Sequence, residues 1–476
     1  MTTIARDTFA TLADRVCQPA PGAGPDARVL LYLESESSTF LRFNGSRLRQ
    51  LTLVEQCTAN LSVVAGGRRL AASLSLAMTD GGPAIEAEAQ RLCARRDALF
   101  GELAQAPPDP HLLLPDTRVD TVRDEPSDLP PAEALVAVIT AAAADRRQPD
   151  GQPLDLVGFY AGGPCIRAFA DSRGQRNWHR VDTFLFEWSL YSSADPAVRD
   201  KAVKARYAGR HWDDAEFGRR LDASVALLEP LAMPDRSIAP GRYRALLMPE
   251  AVAELLGMMA WGGFGLKERR TGTSPLSAFA SGASQFANAV TLSEAPSAGL
   301  APRFTADGFV LADTVSLIDR GQLPTVTAAR STALAAGALV GPRSAAEFGV
   351  EPNSGDDEIP VSLALACGHL PMARALTALG EGILIGNLWY LNFSDRNRGR
   401  ITGMTRFASF RVDGGRIVAP IGVMRFDDAL FELFGSRCEA LTDVAEFLPS
   451  ALTWGARTLS STTCPGLLVD GMDLTL

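Results

Sequence analysis

Residues 382–428 read GILIGNLWYLNFSDRNRGRITGMTRFASFRVDGGRIVAPIGVMRFDD. Ile383 to Phe393 runs or alternates apolar at strand length, Ser394 to Arg400 is too polar to bury, and Thr405 to Val412 ends in Asp413-Gly414-Gly415. Short apolar runs bounded by turn residues predict strands, and an Asp-Gly step after such a run predicts a hairpin. The stretch therefore reads as strand, polar loop and hairpin. It fixes shape and carries no chemistry by itself.

Working outward, the same reading gives an α+β chain. Arg28 to Ser75 reads as strands with a hairpin turn at Ala65-Gly66-Gly67-Arg68, and Ile85 to Leu103 reads as a helix. Residues 107–131 are rich in proline and acids, which disfavours regular structure and suits an extended surface connection. Ala132 to Arg147 is an alanine-rich helix, and Val181 to Tyr191 is a strand pattern. Leu154 to Tyr160 and Cys165 to Phe169 predict a hairpin turning around Ala161-Gly162-Gly163-Pro164. Asp213 to Leu228 predicts a helix whose Phe217, Leu221, Val225 and Leu228 share one buried face. Met233-Pro234-Asp235 marks a boundary, so the chain divides into an N-terminal α+β region, 1–234, and a strand-rich C-terminal domain with mixed sheets and packed helices, 235–476. The small polar residues from Thr271 to Ser297 read as a mobile loop.

Composition excludes several classes. At 476 residues the chain exceeds one core, and its 46% hydrophobic content is ample for burial. No run approaches the roughly 20 apolar residues that a membrane span needs. The formal charge of −9, with arginine pairs only at isolated places such as Arg95-Arg96 and Arg269-Arg270, argues against a nucleic-acid surface. Seven cysteines without CxxC spacing predict buried thiols in a reducing compartment. The early acid Asp7 and the lack of an apolar core at the start predict a surface helix rather than a secretory signal, and hence a cytoplasmic protein.

The ordered series LWYLNFSDR, GMTRFASF and PIGVMRFDD resembles the C-terminal region of the TldD/PmbA family, once called modulators of DNA gyrase and regarded as metallopeptidase subunits. The resemblance is greatest to its PmbA (TldE) side. It extends to Ser38–Asn44 with Arg49-Gln50, to Pro240–Ala251, and to Leu317–Leu323. In the zinc-bearing TldD subunits a helix carries His-Glu-x-x-x-His, completed by a cysteine near the C-terminus. Here the matching helix reads Glu254-Leu255-Leu256-Gly257-Met258-Met259-Ala260-Trp261-Gly262-Gly263, which sets Gly257, Met258 and Gly262 at the motif positions. Glycine has no ligating group and a thioether is a poor zinc donor. The resemblance thus implies a chain with no cofactor of its own.

The remaining candidates are few. Cys464 falls in the tail where relatives place a cysteine ligand, and reads as a vestige of that ligand or a buried thiol. His179 reads as a surface or hydrogen-bonded residue at a strand edge, and Cys367-Gly368-His369 is adjacency without geometry. Asp427 and Asp428 point to opposite faces if extended, predicting a solvated acid beside a salt-bridged one. Asn387, Trp389, Tyr390 and Asn392, with Arg396, Arg406 and Arg425, form a candidate surface for extended peptides, bound by strand addition. The competing reading puts the aromatics in the core and pairs the arginines with Asp395, Asp413 and Asp427.

Three functions are consistent with these residues. The resemblance implies a non-catalytic subunit that binds unfolded or leader peptides beside a TldD-like zinc metallopeptidase partner. A second is a stand-alone peptidase with metal on scattered residues such as Cys464, His369 and Asp428. The third is a non-proteolytic, homodimeric peptide-binding module.

Overall fold

The computed structural model describes residues 4–476 except 21, 78–81, 109–111, 113, 116, 193–200, 266, 267, 269–271, 323–350 and 354–356. Its first sheet runs β3 (Arg68–Ser75), β2 (Arg47–Ala65), β1 (Arg28–Asn44), β5 (Asp155–Asp171), β6 (Arg176–Tyr191), β4 (Thr121–Glu125), with β7 (Ala202–Gly209) also on β6. Helices α1 (Arg6–Val16) and α2 (Gly82–Glu102) cover part of this sheet, burying Phe9, Leu12, Leu92 and Leu99 against Val29, Leu31, Leu61 and Val63. The alternation of those strand residues puts every second side chain on the helix side.

The second sheet contains β8 (Gly241–Leu247), β9 (Leu292–Glu294), β10 (Val315–Ile318) and β13 (Ser362–Leu365). It continues through β14 (Gly382–Asp395), β15 (Arg400–Asp413), β16 (Arg416–Pro420), β17 (Arg425–Ala429), β18 (Cys438–Pro449) and β19 (Ser461–Leu474). The short pair β11 (Glu351–Asn353) and β12 (Asp357–Ile359) stands apart. Strand β8 pairs with β14 on one side and with β19 on the other, so the path β8-β14-β15-β17-β19 closes into a ring. Helix α6 (Pro249–Gly263) packs its Leu255, Leu256 and Met259 into the core of this ring.

The two halves share a core. Trp188, Phe186 and Phe43 of the first sheet pack in one cluster with Leu246, Leu384 and Phe410 of the second, and with Leu135 and Ile139 of α3 (Ala132–Ala144). Helix α4 (Asp214–Ala226) contributes Phe217 and Leu221 to the cluster, and the following short helix α5 (Leu228–Ala232) contributes Leu228. A polar joint accompanies it. Arg457, 7% exposed, donates from Nη1 to the Gly163 carbonyl at 2.9 Å and from Nη2 to Thr183 Oγ1 at 2.6 Å. Its backbone N–H donates to the buried Glu36 carboxylate at 2.9 Å.

Several expectations need correction. The predicted hairpin between Leu154 and Phe169 is one continuous strand, β5. Gly163 is there because the backbone passes β1 closely: its φ is +138°, and a Cβ would lie 2.1 Å from the Ser37 carbonyl oxygen. The proline- and acid-rich connection is not free of regular structure, since it contains β4, paired parallel to β6. Asp427 and Asp428 are both paired, with Arg400 and Arg437 respectively, and Asp428 is buried. Of the two readings of His179 the hydrogen-bonded one holds and the surface one does not: it is 1% exposed, and its Nε2 lies 2.9 Å from the Leu300 carbonyl, which makes that nitrogen the donor.

Burial, reinforced by the Arg123 and Arg167 charges, lowers the His179 pKa from 6.5 to about 3. A base that stays neutral when folded and protonates when unfolded stabilises the fold above the unfolded pKa, and the loss runs downward from there. Stability should fall by up to about 1.4 kcal/mol per pH unit from this group between pH 6.5 and 3. Urea midpoints across that window should show a shallower slope for His179→Gln, which keeps a donor for Leu300; an unchanged slope would refute the assignment.

Candidate functional site

Helix α6 starts with Pro249 at its first turn, where a missing N–H costs nothing, and continues through good helix formers. Ala251, Val252, Leu255, Leu256, Met258 and Met259 are buried, while Glu254, Gly257 and Trp261 reach solvent. Spacings of three and four residues place those three on one face. Helical geometry ends at Trp261, with ψ of 85°, and Gly262, with φ of 73°.

Arg396 closes the end of that face. It opens the short turn Arg396–Arg398 after β14, where Asp395 accepts from the Arg398 N–H at 3.2 Å. Its Nη2 donates to the Trp261 carbonyl released by the break, at 2.8 Å, and its Nε donates to the Thr273 carbonyl at 2.9 Å. The guanidinium sits 5.2 Å from the Trp261 ring centre and 4.8 Å from that of Phe393. A Cβ on Gly262 would come 2.4 Å from Arg396 Nη2. A side chain at Gly262 would require the end of this arginine to move.

The three motif positions therefore have three different surroundings. Gly257 faces open space, Met258 is buried in the core, and Gly262 lies under Arg396. Nothing in that set ligates zinc, so the residues present do not fit the metal that the zinc-bearing relatives hold. Cys464 does not restore it. Its Sγ donates to the Pro249 carbonyl at 3.2 Å, eight residues before Gly257, or about 12 Å along the helix. Burial first, then the Glu250 charge, pushes its thiol pKa far up, so it stays protonated. On β19, Cys464 and Asp428's neighbour Asp473 are nine residues apart, roughly 25–30 Å in extended chain, so Cys464 and Asp428 do not meet. Among the described residues no group of three His, Cys, Asp or Glu side chains converges on a metal position.

Two cations of β7 lie within electrostatic reach of the solvent-facing stripe of α6. Burial raises the Glu254 pKa although water still reaches the residue, and Arg206 and Lys204 partly offset the rise. Lys204 and Arg206 both meet Glu187 of β6, at 3.4 Å and 3.0 Å. Beyond them a cavity of about 480 Å³ opens on the first sheet, lined by Arg42, Phe159, Trp188 and Lys204 among others. Toward the second sheet Lys204 Nζ lies 5.9 Å from the Phe407 ring centre.

Phe407 belongs to an exposed platform on β14 and β15. Arg406 stands 4.7 Å from the Trp389 ring centre and 5.4 Å from that of Phe407, and Tyr390 packs on Trp389 at 5.6 Å. Trp389 is 49% and Tyr390 76% exposed, so these aromatics are not core. Asn387 is half-buried opposite Arg406 in the β14–β15 ladder. The other predicted residues lie apart. Asn392 uses its Oδ1 on the Phe393 N–H at 2.8 Å, opposite Thr402, to which Arg425 donates at 3.0 Å. Arg396 is at the α6 end. The expected pairing of these arginines with acids holds for Arg398 with Asp395, whereas Asp427 pairs with Arg400, which is outside that set. Arg396 instead takes carbonyls and rings. Sequence reasoning missed Lys204, Glu187, Glu254, Trp261 and Phe407, which lie far apart in the chain or read as ordinary core.

Residues 240–476, which hold the ring of strands and helix α6, match the PmbA/TldA metallopeptidase C-terminal domain. The chain belongs to the TldD/PmbA family. TldE from Thermococcus kodakarensis superimposes with a TM-score of 0.72 at 11% identity, covering 98% of this chain and 100% of that one. A candidate modulator of DNA gyrase from Thermotoga maritima gives 0.71 at 14% identity over the same shares. Another from Bacteroides thetaiotaomicron gives 0.68 at 16%, covering 98% of each chain. No curated protein matches the chain. The α+β fold is thus that of TldD/TldE structures. Among the described residues no helix is long and apolar enough to cross a membrane.

Gly262→Ala should destabilise by about 1–3 kcal/mol, combining left-handed backbone strain with the Arg396 contact. Adding Arg396→Ala should recover only the steric part, so a double-mutant cycle by urea unfolding should be non-additive. Strict additivity would mean that the two positions do not compete.

Proposed function

We propose that this chain is a peptide-binding subunit without its own zinc, working beside a TldD-like metallopeptidase subunit that supplies the metal. The carrying observation is at Gly262, where the Arg396 guanidinium fills the space of a motif side chain while the rest of the exposed α6 face stays accessible. Such a helix is suited to form one wall of a cleft. Lys204 lies within electrostatic reach of its Glu254, and through Phe407 it adjoins Arg406, Trp389 and Tyr390, cationic and aromatic groups that suit the carbonyls, carboxylates and apolar side chains of an unfolded peptide. The bulged β14 backbone offers further groups for strand addition.

In this reading the chain binds and orients peptide and shields it from water, and it contributes no reacting group. Its Glu254 and Arg406 set which charges along the peptide are tolerated. Cytoplasmic placement and a heterodimer complete the proposal. A lone peptidase is disfavoured because Cys464 stands far along β19 from Asp473, which the Asp428 carboxylate of β17 meets.

The test uses a labelled unstructured peptide and the lone chain. Trp389→Ala and Arg406→Ala should each weaken binding about tenfold or more, the scale of a lost aromatic or cation–π anchor. Added zinc should produce no cleavage until a TldD-like subunit is present. Stoichiometric zinc by elemental analysis, with cleavage by the lone chain, would overturn the proposal.

A further inference from the structure

We propose that the cavity on the first sheet is an anion subsite, in which Arg42 and Arg49 hold a carboxylate of the bound peptide. This rests on the peptide-binding reading above and adds the chemical class that one subsite selects. The chain carries a net charge of −9, yet this cavity of about 480 Å³ brings three cations, Arg42, Arg49 and Lys204, together with one acid, Glu187. A concave wall of one sign draws in the opposite charge.

The register shows how the cations come together. Arg42 of β1 stands opposite Phe159 of β5, and Phe159 opposite Glu187 of β6. Two residues along, Val157 stands opposite Ser189, and Ser189 opposite Lys204 of β7. Cross-strand partners and residues two apart share a face, so these side chains rise from the same side of the sheet. Gln50 of β2 faces Arg42, and regular alternation would turn its neighbour Arg49 to the other side. The β1–β2 pairing shifts at this point: Leu48 faces Phe43, and Arg49 is the extra residue between the two pairs. A bulge re-aims side chains in this way, and Arg49 joins Arg42 in the lining. The bulge thus gives the cavity its second arginine.

Both arginines are exposed, and among the described residues neither has an acid partner. Glu187 is engaged by Lys204 at 3.4 Å and by Arg206 at 3.0 Å. The floor is aromatic: Arg42 lies 5.9 Å from the Phe159 ring centre, and Phe159 stacks on Phe40 at 5.9 Å. Such a floor steadies a guanidinium from one side and leaves its donors to a carboxylate. Lys204 connects the cavity to the aromatic platform, since it lies in the lining and also 5.9 Å from the Phe407 ring centre. A peptide that continues from the platform past Lys204 meets the arginine pair next.

The probes are three forms of one labelled unstructured peptide: central Gln with an amidated C-terminus, central Glu with an amidated C-terminus, and central Gln with a free C-terminus. In low salt the full chain should bind at least one carboxylate form about fivefold more tightly than the uncharged form, the scale of an exposed charge contact. A gain in the Glu form assigns the subsite to acidic side chains, and a gain in the free-terminus form assigns it to chain ends. Arg42→Gln with Arg49→Gln should remove the gain and leave the affinity for the uncharged form and the circular dichroism unchanged. Arg15→Gln with Arg219→Gln, which removes the same charge from exposed positions elsewhere, should preserve the gain. Trp389→Ala should weaken all three forms alike. Equal affinity for the three forms, or a gain that survives loss of both arginines, would overturn this subsite and leave the peptide-binding reading standing. Failure of every form to bind would overturn both.

Discussion

The buried joint between Arg457 and the first sheet is the contact on which the arrangement of the two halves depends. Its guanidinium bonds the Gly163 carbonyl and both oxygens of Thr183, and its backbone N–H meets Glu36, itself 4% exposed. Burying a cation and a carboxylate costs several kcal/mol each before any contact is made, and only complete hydrogen bonding recovers it. Both groups bond at once only when the segment before β19 is seated against β1, β5 and β6. The two halves are thus held by a polar joint as well as by the apolar cluster of Trp188, Phe186 and Phe410.

The second constraint is the break at the end of α6. A helix that stops at Trp261 leaves carbonyls without partners, and these must find donors or water. Arg396 answers for the Trp261 carbonyl and adds two ring contacts, while Ser274 Oγ donates to the Gly263 carbonyl at 2.8 Å. The arrangement requires a residue without a side chain at Gly262. The break and its capping arginine thus go together with a glycine at 262, because a side chain there would have to displace the end of the guanidinium.

Much of this was legible in the sequence wherever one element carried the whole signal. The Phe217 and Leu221 stripe and the turn at Asp413-Gly414-Gly415 needed only local spacing or residue chemistry. The failures came where a distant backbone set the meaning of a residue. Gly162-Gly163 has the composition of a turn, and only the approach of Ser37 reveals that the glycine serves close passage within a strand. His179 looked like a strand-edge residue until Leu300 covered it. Lys204 and Glu187 enter the cleft through tertiary pairing of β6 and β7, and no periodicity within either strand distinguishes them.

The platform on β14 and β15 shows what the fold has given up for shape. Tyr390 and Phe407 have φ of 57° and 56°, a region that costs a bulky residue about 1–3 kcal/mol. Both fall where the β14–β15 register shifts, Tyr390 between Trp389 and Asn392, and Phe407 opposite the step from Ile385 to Asn387. Bulges re-aim side chains and are concentrated beside binding sites. Burial does not offset the strain at Tyr390, whose side chain is largely in solvent. A regular ladder would relieve the backbone at both positions, and would turn Tyr390 and Phe407 away from Trp389 and Arg406. The strained backbone is therefore accounted for by the surface that these four side chains make together, and stability of the sheet alone gives no reason for it.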